Sequence, residues 1–379
     1  MLSVTLQDST EENGWKWISA LLIALLFQDN DVLHSPTVNH TIPLLANLLK
    51  SDDSSERYFA SQAIANLVLS DEHSTILAVS SSGALVGLIS LLGSVESDNP
   101  SFLDLAHQFM LVPNPAQTAL EHIFRKSDIK TGSTARKVIP ALIELLTPSS
   151  DRPDAPLFAE GLLAMLAAEN PENKLLMAEA GILEALTRYL SLGPQHNMEE
   201  CTADLFRILF SSVELRCHKS ATGALEQLVA LLHLGGKNAR YSASRALQEL
   251  FIADHIKAND IAKQAIPPLL EMLRTGSEKE QRIALRTLST LSIDNQPKAI
   301  IIALDPESKC LEFIGKTLWA DCSLDLKEDA AALCFALFSF SRIRASPGAA
   351  HCIEPLVVLA GDQTARSTWL AVLHALNNS

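Results

Sequence analysis

The most regular feature of the sequence is a pair of apolar stripes separated by two glycines, in residues 225–251 (LEQLVALLHLGGKNARYSASRALQELF). The first stripe has the spacing i, i+3, i+4 and i+7, which places its apolar residues on one face of a helix. Gly235 and Gly236 follow, and glycine at this place accepts the left-handed backbone that ends a helix. A second stripe begins at Ala243. The stretch therefore predicts a helix, a tight turn and another helix.

This pattern recurs along the chain with a fixed period. Its first apolar residue returns at Ile42, Leu85, Ile139, Ile182, Leu225, Ile266, Leu311 and Ile353. Successive positions are 41 to 45 residues apart, except for one interval of 54 between Leu85 and Ile139. A period in the low forties that is built from helices is typical of HEAT and armadillo arrays. Proline often follows the first apolar residue and is predicted in the first helical turn, where its missing N–H costs nothing (Pro43, Pro140, Pro267, Pro355).

The remaining helices of the repeat can be recognised as well. Small residues recur in the later helix, where Ala60 and Ala63 correspond to Ala243 and Ala246. Residues 173–181 (NKLLMAEAG) predict a further short helix before the next apolar face. Three helices in each repeat distinguish an armadillo unit from a HEAT unit.

The pattern predicts an all-α fold, a right-handed superhelical armadillo-repeat solenoid without a β-sheet. We expect one solenoid over residues 1–379, with an N-terminal helical unit at 12–40 and repeats at 41–92 and 113–379. The long interval is explained by an insert at 93–112 between two helices of one repeat, which is predicted to protrude.

Composition and cysteine usage agree with this architecture. Hydrophobic residues make up 47% of the chain and aromatic residues only 5%, as expected of many similar small helices. The six cysteines contain no CxxC motif, which favours a reducing compartment. The apolar run at 17–27 is about half of the ~20 residues that a membrane-spanning helix needs, so we expect a buried first helix and no direct membrane insertion.

Charge narrows the range of partners. The formal net charge of −14 disfavours nucleic acid, which is a polyanion. The charge is uneven, because residues 1–125 hold fourteen acidic and four basic side chains, whereas residues 225–290 hold nine basic and seven acidic ones. The second region is therefore the basic part of an acidic chain.

Motifs for catalysis or for metal and cofactor binding are missing from the sequence. GxSxG and HExxH do not occur, and LGGKN at 234–238 lacks the residues that a P-loop needs. Adjacent cysteine and histidine residues, as at 217–218 and 351–352, diverge on a helix and do not form a metal site alone. We expect a non-enzymatic protein with no catalytic, cofactor-binding or metal-binding residues.

Arginines in the basic region are the candidate partner-binding residues. Arg240 and Arg282 are 42 residues apart, and Arg245 and Arg286 are 41 apart, so each pair falls at similar places on consecutive repeats. These four residues predict a contact with an acidic partner segment. The alternative is a solvated face whose charge is neutralised by nearby carboxylates (Glu249, Glu278, Glu280).

Several longer stretches resemble a known plant family. LANLLKSDDSSERYFASQAIANLVLS, LFRILFSSVELR, LEQLVALLHLGGKNARYSASRALQELFIADHIK and CSLDLKEDAAALCFALF are similar to the armadillo array of the cellulose synthase-interactive proteins. The resemblance covers essentially the whole chain. Members of that family are several times longer and end in a C2 domain, of which this sequence shows nothing, so it resembles a fragment or a shortened member.

The resemblance implies a scaffold that links cellulose synthase complexes to cortical microtubules. The implied partners are the cytosolic region of cellulose synthase and the acidic tails of tubulin. The implied location is the cortical cytoplasm, at the plasma membrane or on microtubules through these partners. An alternative from another class is the substrate-recognition region of an armadillo-type ubiquitin ligase, whose catalytic U-box would lie outside this chain.

Overall fold

The computed structural model describes residues 14–35, 37–93, 114–192, 198–306 and 309–360. These ranges contain helices, turns and one isolated bridge between Ser149 and Arg152, but no β-strand. The all-α prediction is therefore confirmed for this part of the chain. The chain divides into two compact units, Met1–Ala185 and Leu186–Ser379.

The first unit is built from short helices that stack in sequence order. They are α1 (Gly14–Leu26), α2 (Asn30–Leu33), α3 (Val38–Leu48), α4 (Ser54–Leu69), α5 (His73–Ser81), α6 (Ala84–Leu91), α7 (Pro115–Phe124), α8 (Ser127–Thr131), α9 (Ser133–Glu144), α10 (Ala155–Ala167) and α11 (Pro171–Glu179). Helix α12 (Ile182–Ser191) spans the point of division between the units.

The second unit repeats the same arrangement. Its helices are α13 (Met198–Phe210), α14 (Val213–Arg216), α15 (Ala221–Leu234), α16 (Lys237–Leu250), α17 (Asp254–Ala258), α18 (Ile266–Thr275), α19 (Glu278–Ser292), α20 (Gln296–Leu304), α21 (Cys310–Trp319), α22 (Leu324–Phe338), α23 (Ser341–Arg344) and α24 (Ala350–Ala360). Two short 3₁₀ helices, Asp260–Ala265 and Pro347–Ala349, precede α18 and α24.

Each full repeat contains a short first helix, a second helix and a long third helix. In one repeat these are α14, α15 and α16, and in a later one α20, α21 and α22. Third helices of successive repeats pack side by side, as α16 does on α13 and α22 on α19. The short first helix predicted at 173–181 is α11, so the three-helix repeat is confirmed.

Small residues allow the third helices to approach closely. Ala60 and Ala63 of α4 and Ala243 and Ala246 of α16 are completely buried. Because alanine adds little side-chain volume, the backbones of neighbouring helices come near enough for bonds between repeats. One such bond runs from Oγ1 of Thr287 to the carbonyl of Ser244, 43 residues earlier, over 3.0 Å.

Polar side chains tie successive repeats together at the ends of helices. Nδ2 of the fully buried Asn173 donates to the carbonyls of Lys130, 43 residues earlier, and of Leu166. Nη1 of Arg216 donates to the Phe210 carbonyl at the end of α13. Such bonds satisfy the last carbonyls of a helix, which have no intrahelical partner.

The glycine pair ends helix α15 as predicted, but by a different mechanism. Both residues have extended backbone, with φ of −70° at Gly235 and −62° at Gly236. The prediction of a left-handed glycine at this helix end is therefore wrong. Glycine is favoured at 235 by space, because an added Cβ would lie 2.6 Å from the Leu231 carbonyl oxygen and 3.2 Å from the Ala239 Cβ.

Two further sequence expectations need correction. Three of the four prolines lie inside helices, because α3, α9 and α24 begin five or more residues before Pro43, Pro140 and Pro355. The last predicted apolar face is also shifted by one position. Ile353 is 59% exposed, whereas the preceding residue, Cys352, is completely buried.

The first helix packs as a third helix does. Trp17 of α1 stacks on Phe59 of α4 with ring centroids 5.8 Å apart. Asn66 of α4 is buried and donates from Nδ2 to the Ala24 carbonyl over 2.7 Å. This asparagine therefore serves an internal contact between helices.

The predicted insert and the predicted absence of a membrane-spanning helix remain to be compared with the structure. The insert predicted at 93–112 lies, apart from Gly93, outside the described residues. Within the described ranges, no single helix has the length and apolar composition to cross a bilayer. Helices α5 and α6 together have a sufficient length and apolar composition, but the chain bends by 82° at the short break between them.

Candidate functional site

Four consecutive third helices in the second unit carry charged residues at positions that face one another. These positions are Asp204 on α13, Arg245 on α16, Arg286 on α19 and Asp329 on α22. Asp204, Arg245 and Arg286 follow one another by 41 positions, which is the repeat spacing of these helices, whereas Asp329 lies at a different position of the repeat because α19 and α22 begin 46 residues apart. Because the helices pack side by side, two arginines stand between two aspartates along one row.

The first arginine of this row is held by a neighbouring helix. Nη1 of Arg245 lies 3.3 Å from Oδ1 of Asp204, and each side chain is about one-third exposed. The Arg245 guanidinium also lies over the ring of Tyr241, 5.8 Å from its centroid. The ring and the carboxylate together fix the direction of this cation while leaving part of it open to solvent.

Two arginines of α19 share a carboxylate on α22. Nε of Arg282 and Nε of Arg286 donate to the two oxygens of Asp329 over 2.9 Å and 2.7 Å. Arg282 also contacts Asp325 at 2.6 Å. Hydrogen bonding to Asp329 raises the pKa of the Arg282 guanidinium, so this side chain is cationic at any physiological pH.

These arginines line an open groove of about 380 Å³, which we call the arginine groove. Its lining residues come from α13, α16 and α19 and are mostly polar: Arg207, Tyr241, Arg245, Gln248, Glu249, Lys279, Arg282, Ile283 and Arg286. The α16 residues at 241, 245 and 248 have the i, i+4, i+7 spacing of one helix face. Five cations therefore face one cavity.

Three of the four predicted arginines come together in this groove, namely Arg245, Arg282 and Arg286. Arg240 is not among the lining residues, and it is half-buried. Helices α16 and α19 begin 41 residues apart, so the residue equivalent to Arg282 is Tyr241. A spacing of 42 therefore pairs two positions that point in different directions around the helix.

Two further cations of the groove were missed from the sequence. Arg207 lies on α13, and its Nε is 3.5 Å from Oδ1 of Asp204. Lys279 is exposed in the first turn of α19. Neither cation recurs at the repeat period, since the residue 41 positions after Arg207 is Gln248. Lys279 could have been found by its i, i+3 spacing to Arg282 on α19, whereas Arg207 is the single lining residue from α13 and has no such neighbour.

The carboxylates expected to neutralise the arginines have other partners. Glu249 lies 3.8 Å from Arg216, and Glu278 bonds to the hydroxyl of Ser323. Glu280 accepts from Ser277 and lies 3.3 Å from Lys237. Among the described residues, none of these three carboxylates pairs with the four predicted arginines, although Glu249 lines the arginine groove beside them. The observed partners are aspartates on neighbouring third helices, which pattern reading along one helix does not reveal.

Other side-chain clusters offer less chemistry. Among the described residues, no group of three or more histidines, cysteines, aspartates or glutamates is arranged to hold a metal ion. Cys310, Cys334 and Cys352 are buried thiols in the second unit. These three thiols pack inside the protein as small apolar residues do, whereas Cys201 and Cys217 are exposed.

Comparison with solved structures identifies the fold. The chain matches a chain from a study of the phosphorylation switch that controls the interaction between cadherin and beta-catenin, with a TM-score of 0.70 and 16% identity, covering 100% of this chain and 68% of the other. It also matches an engineered protein solved by a structural genomics consortium, with a TM-score of 0.65, 20% identity and coverage of 99% and 97%. The fold is thus an all-α armadillo-type solenoid.

Comparison with curated proteins identifies relatives in sequence. No family model matches the chain. Protein CELLULOSE SYNTHASE INTERACTIVE 3 of Arabidopsis thaliana is 45% identical over 367 residues, and CELLULOSE SYNTHASE INTERACTIVE 2 is 36% identical over 363. These matches cover 97% and 96% of this chain but only 17% of each relative. U-box domain-containing protein 44 of the same plant is 25% identical over 210 residues, covering 52% of this chain and 26% of its own length.

The resemblance expected from the sequence is therefore confirmed: along nearly its whole length, this chain is a relative of the cellulose synthase-interactive proteins.

Proposed function

We propose that the chain is a non-enzymatic scaffold that links cellulose synthase complexes to cortical microtubules. The observation that carries this proposal is the identity of 45% and 36% to two proteins named for their interaction with cellulose synthase, over nearly the whole chain. An armadillo solenoid suits such a role, since stacked repeats create extended surfaces for binding. The proposed location is the cortical cytoplasm, at the plasma membrane or on microtubules through these partners.

The arginine groove is the surface that we assign to an acidic partner, with tubulin tails as the candidate. Arg245, Arg282 and Arg286 line it. Arg240 does not line the groove, but it belongs to the set of four arginines proposed from the sequence. The net charge of −14 opposes this encounter at long range. Exposed charges more than about 10 Å away are screened at 0.1 M salt, so the local cations dominate at contact.

Such a contact is weak when it is made once. Exposed ion pairs contribute roughly 0.2–1 kcal/mol each. An acidic segment that meets a few arginines therefore binds stably only through several sites or tethered copies, as on a microtubule lattice.

Two measurements test these assignments. For the synthase, a pull-down with the cytosolic part of cellulose synthase should enrich this chain over an unrelated armadillo array, and equal recovery would contradict the scaffold role. For the acidic partner, replacing Arg240, Arg245, Arg282 and Arg286 with glutamine should leave helicity unchanged. It should weaken co-sedimentation with microtubules in a salt-dependent way, whereas equal co-sedimentation at low salt would make the arginines a solvated face.

The second candidate function is the substrate-recognition region of a ubiquitin ligase. It is favoured by the match of 25% over 210 residues to U-box domain-containing protein 44. Because this match is shorter and less identical than the first two, we rank it below the scaffold. The full reading frame discriminates the two, since it encodes either a C2 domain or a U-box.

A further inference from the structure

Cations enter the arginine groove from three consecutive third helices. Arg207 comes from α13, Arg245 from α16, and Lys279, Arg282 and Arg286 from α19. Axes of packed helices lie about 8–10 Å apart. Because Arg245 and Arg286 occupy equivalent positions, a ligand that crosses from α16 to α19 meets these two cations roughly 8–10 Å apart, and Arg207 on α13 adds a third cation beside them.

Intramolecular aspartates use only part of the hydrogen-bonding capacity of these cations. A guanidinium carries five N–H donors. Toward the described residues, Arg245 uses one of them for Asp204 and Arg286 uses one for Asp329. The side chain of Arg207 is one-third exposed, and among the described residues its guanidinium contacts Asp204 through Nε, at 3.5 Å. Donors thus remain on each of the three helices for the carboxylates of a ligand.

The lining of the groove selects against an amphipathic helix as the ligand. Binding of a helix in a groove depends on apolar anchors that enter a hydrophobic surface. Apart from Tyr241 and Ile283, the residues that line the arginine groove are charged or carry an amide. The groove is therefore suited to a ligand that contributes charge and hydrogen-bond acceptors.

Two extended conformations space their side chains differently. In a β-strand, every second residue faces the same side, so neighbouring side chains on that side are about 6.6 Å apart. In a polyproline II helix, every third residue returns to the same side after about 9.3 Å. Only the second distance matches the ~8–10 Å between helix axes.

We propose that the arginine groove binds an extended acidic peptide in the polyproline II conformation, with a carboxylate at every third residue. The carboxylates meet Arg207, Arg245 and Arg286 on successive third helices, and Lys279 and Arg282 add charge beside the last position. This proposal deepens the proposed function and rests on its assignment of an acidic partner to these arginines.

Peptides of equal composition and charge test the spacing. Three fluorescent peptides carry three glutamates each, at every second, third or fourth residue, and differ only in residue order. Binding to the full chain is measured by fluorescence anisotropy at low salt and at about 0.15 M salt. We expect the peptide with every-third spacing to bind about fivefold more tightly than the other two, because one or two exposed ion pairs are lost when the spacing is wrong.

Single variants locate the effect. Arg245→Gln and Arg286→Gln should each weaken binding of the every-third peptide about two- to fivefold and reduce its advantage over the others. Arg274→Gln is the matched control, because Arg274 is a partly exposed arginine on the second helix α18 and does not line the groove. This variant should bind all three peptides as the parent chain does.

The outcomes separate this inference from the proposed function. Equal affinity for the three spacings, no binding at low salt, or an effect of Arg274→Gln as large as that of Arg286→Gln would overturn the spacing proposal. If microtubule co-sedimentation still depended on the four arginines, the acidic-partner assignment would stand without it. A spacing preference without microtubule binding would support the groove and reject tubulin as its partner.

Discussion

Arg286 donates from Nε to Oδ1 of Asp329 over 2.7 Å, and the two residues lie 43 positions apart on consecutive third helices. Asp329 accepts a second bond, of 2.9 Å, from Nε of Arg282. One carboxylate, whose side chain is 11% exposed, therefore holds two arginines of the groove. Because a carboxylate of a partner would bind the same guanidinium groups, Asp329 acts as an internal competitor in the proposed site.

Replacing this competitor should strengthen binding and weaken the fold. Asp329→Asn removes one negative charge from the groove, so we expect the every-third peptide to bind about two- to fivefold more tightly. The same change removes charge-assisted bonds to Arg282 and Arg286 and should lower the free energy of unfolding by about 1–3 kcal/mol. Anisotropy with the peptide and urea unfolding of the same preparation measure both effects.

A neighbouring aspartate is the control for this variant. Among the residues that the structure describes, Asp325 pairs with Arg282 alone, and its side chain is 60% exposed. Asp325→Asn should therefore change the free energy of unfolding by less than about 1 kcal/mol. Weaker peptide binding by Asp329→Asn than by the parent chain would show that Asp329 organises the arginines for the ligand and does not compete with it.

The fold could be predicted from the sequence because the repeat is encoded locally. A stripe of one apolar face, such as the one that starts at Leu225, predicts a helix, and its return every 41 to 45 residues predicts stacking. Details that depend on neighbours in space were not accessible in this way. Gly235 has extended backbone, and glycine is favoured there because a Cβ would lie too close to the Leu231 carbonyl oxygen. A rule about helix ends does not consider this contact.

The candidate site was only partly predictable, for a related reason. Arg245 and Arg286 recur at the period of the helices, so the sequence indicated their common surface. Arg207 has no repeated counterpart, and Asp329 lies on a different helix from the arginines that it binds. Contacts between third helices depend on how each helix is shifted along its neighbour. Hydrophobic periodicity predicts the position of a helix in the sequence only to within about one residue, so it does not predict these contacts.

Helices α21 and α24 pack so closely at Gly315 that adding a single methyl group there should destabilise the protein. A Cβ at Gly315 of α21 would lie 2.4 Å from the carbonyl oxygen of His351 on α24. Gly315→Ala must separate these helices, and overpacking of this kind costs about 1–3 kcal/mol of the free energy of unfolding. Chemical denaturation monitored by circular dichroism measures this loss.

The opposite effect is expected at a glycine without neighbours. A Cβ at Gly161, inside α10, would have no atom within 4 Å outside its own helix turn. Gly161→Ala should stabilise the protein by about 0.5–1 kcal/mol, because alanine loses less backbone freedom on folding. If both variants changed stability equally, the short distance at Gly315 would not be the cause.

Thiol reactivity should divide the cysteines into two classes. Burial raises the pKa of Cys310 to about 12, and hydrogen bonding to Cys352 together with burial raises the pKa of Cys334. Cys201 and Cys217 are exposed. Because the thiolate is the reactive form, iodoacetamide at pH 8 should label the exposed pair and spare Cys310 and Cys334 until denaturant is added. Mass spectrometry of digested protein resolves each site, and rapid native labelling of Cys310 would contradict this burial.

The cap of helix α19 predicts a pH dependence of stability. Ser277 and Glu280 form a capping box at the start of the helix that carries Arg282 and Arg286. Burial acts to raise the pKa of the Glu280 carboxyl, but bonds from Ser277 and Lys237 outweigh it, so the pKa is lowered from its usual 4.5. A lowered pKa in the folded state means that the ionised carboxylate stabilises the fold above about pH 4.5. This contribution is lost as the pH falls through the lower, folded value.

Glu280→Gln tests the cap directly. At pH 7 the variant should be less stable than the parent chain by about 0.5–2 kcal/mol, the usual contribution of a helix cap. The difference should shrink as the pH falls from about 4.5 through the lower pKa of the folded state, because below that value both chains carry a neutral side chain at this position. Urea unfolding at a series of pH values measures the difference, and the exposed Glu271→Gln on α18 serves as the control with little effect at any pH. A difference between Glu280→Gln and the parent that persisted unchanged into acid would assign the loss to packing of the side chain and not to its charge.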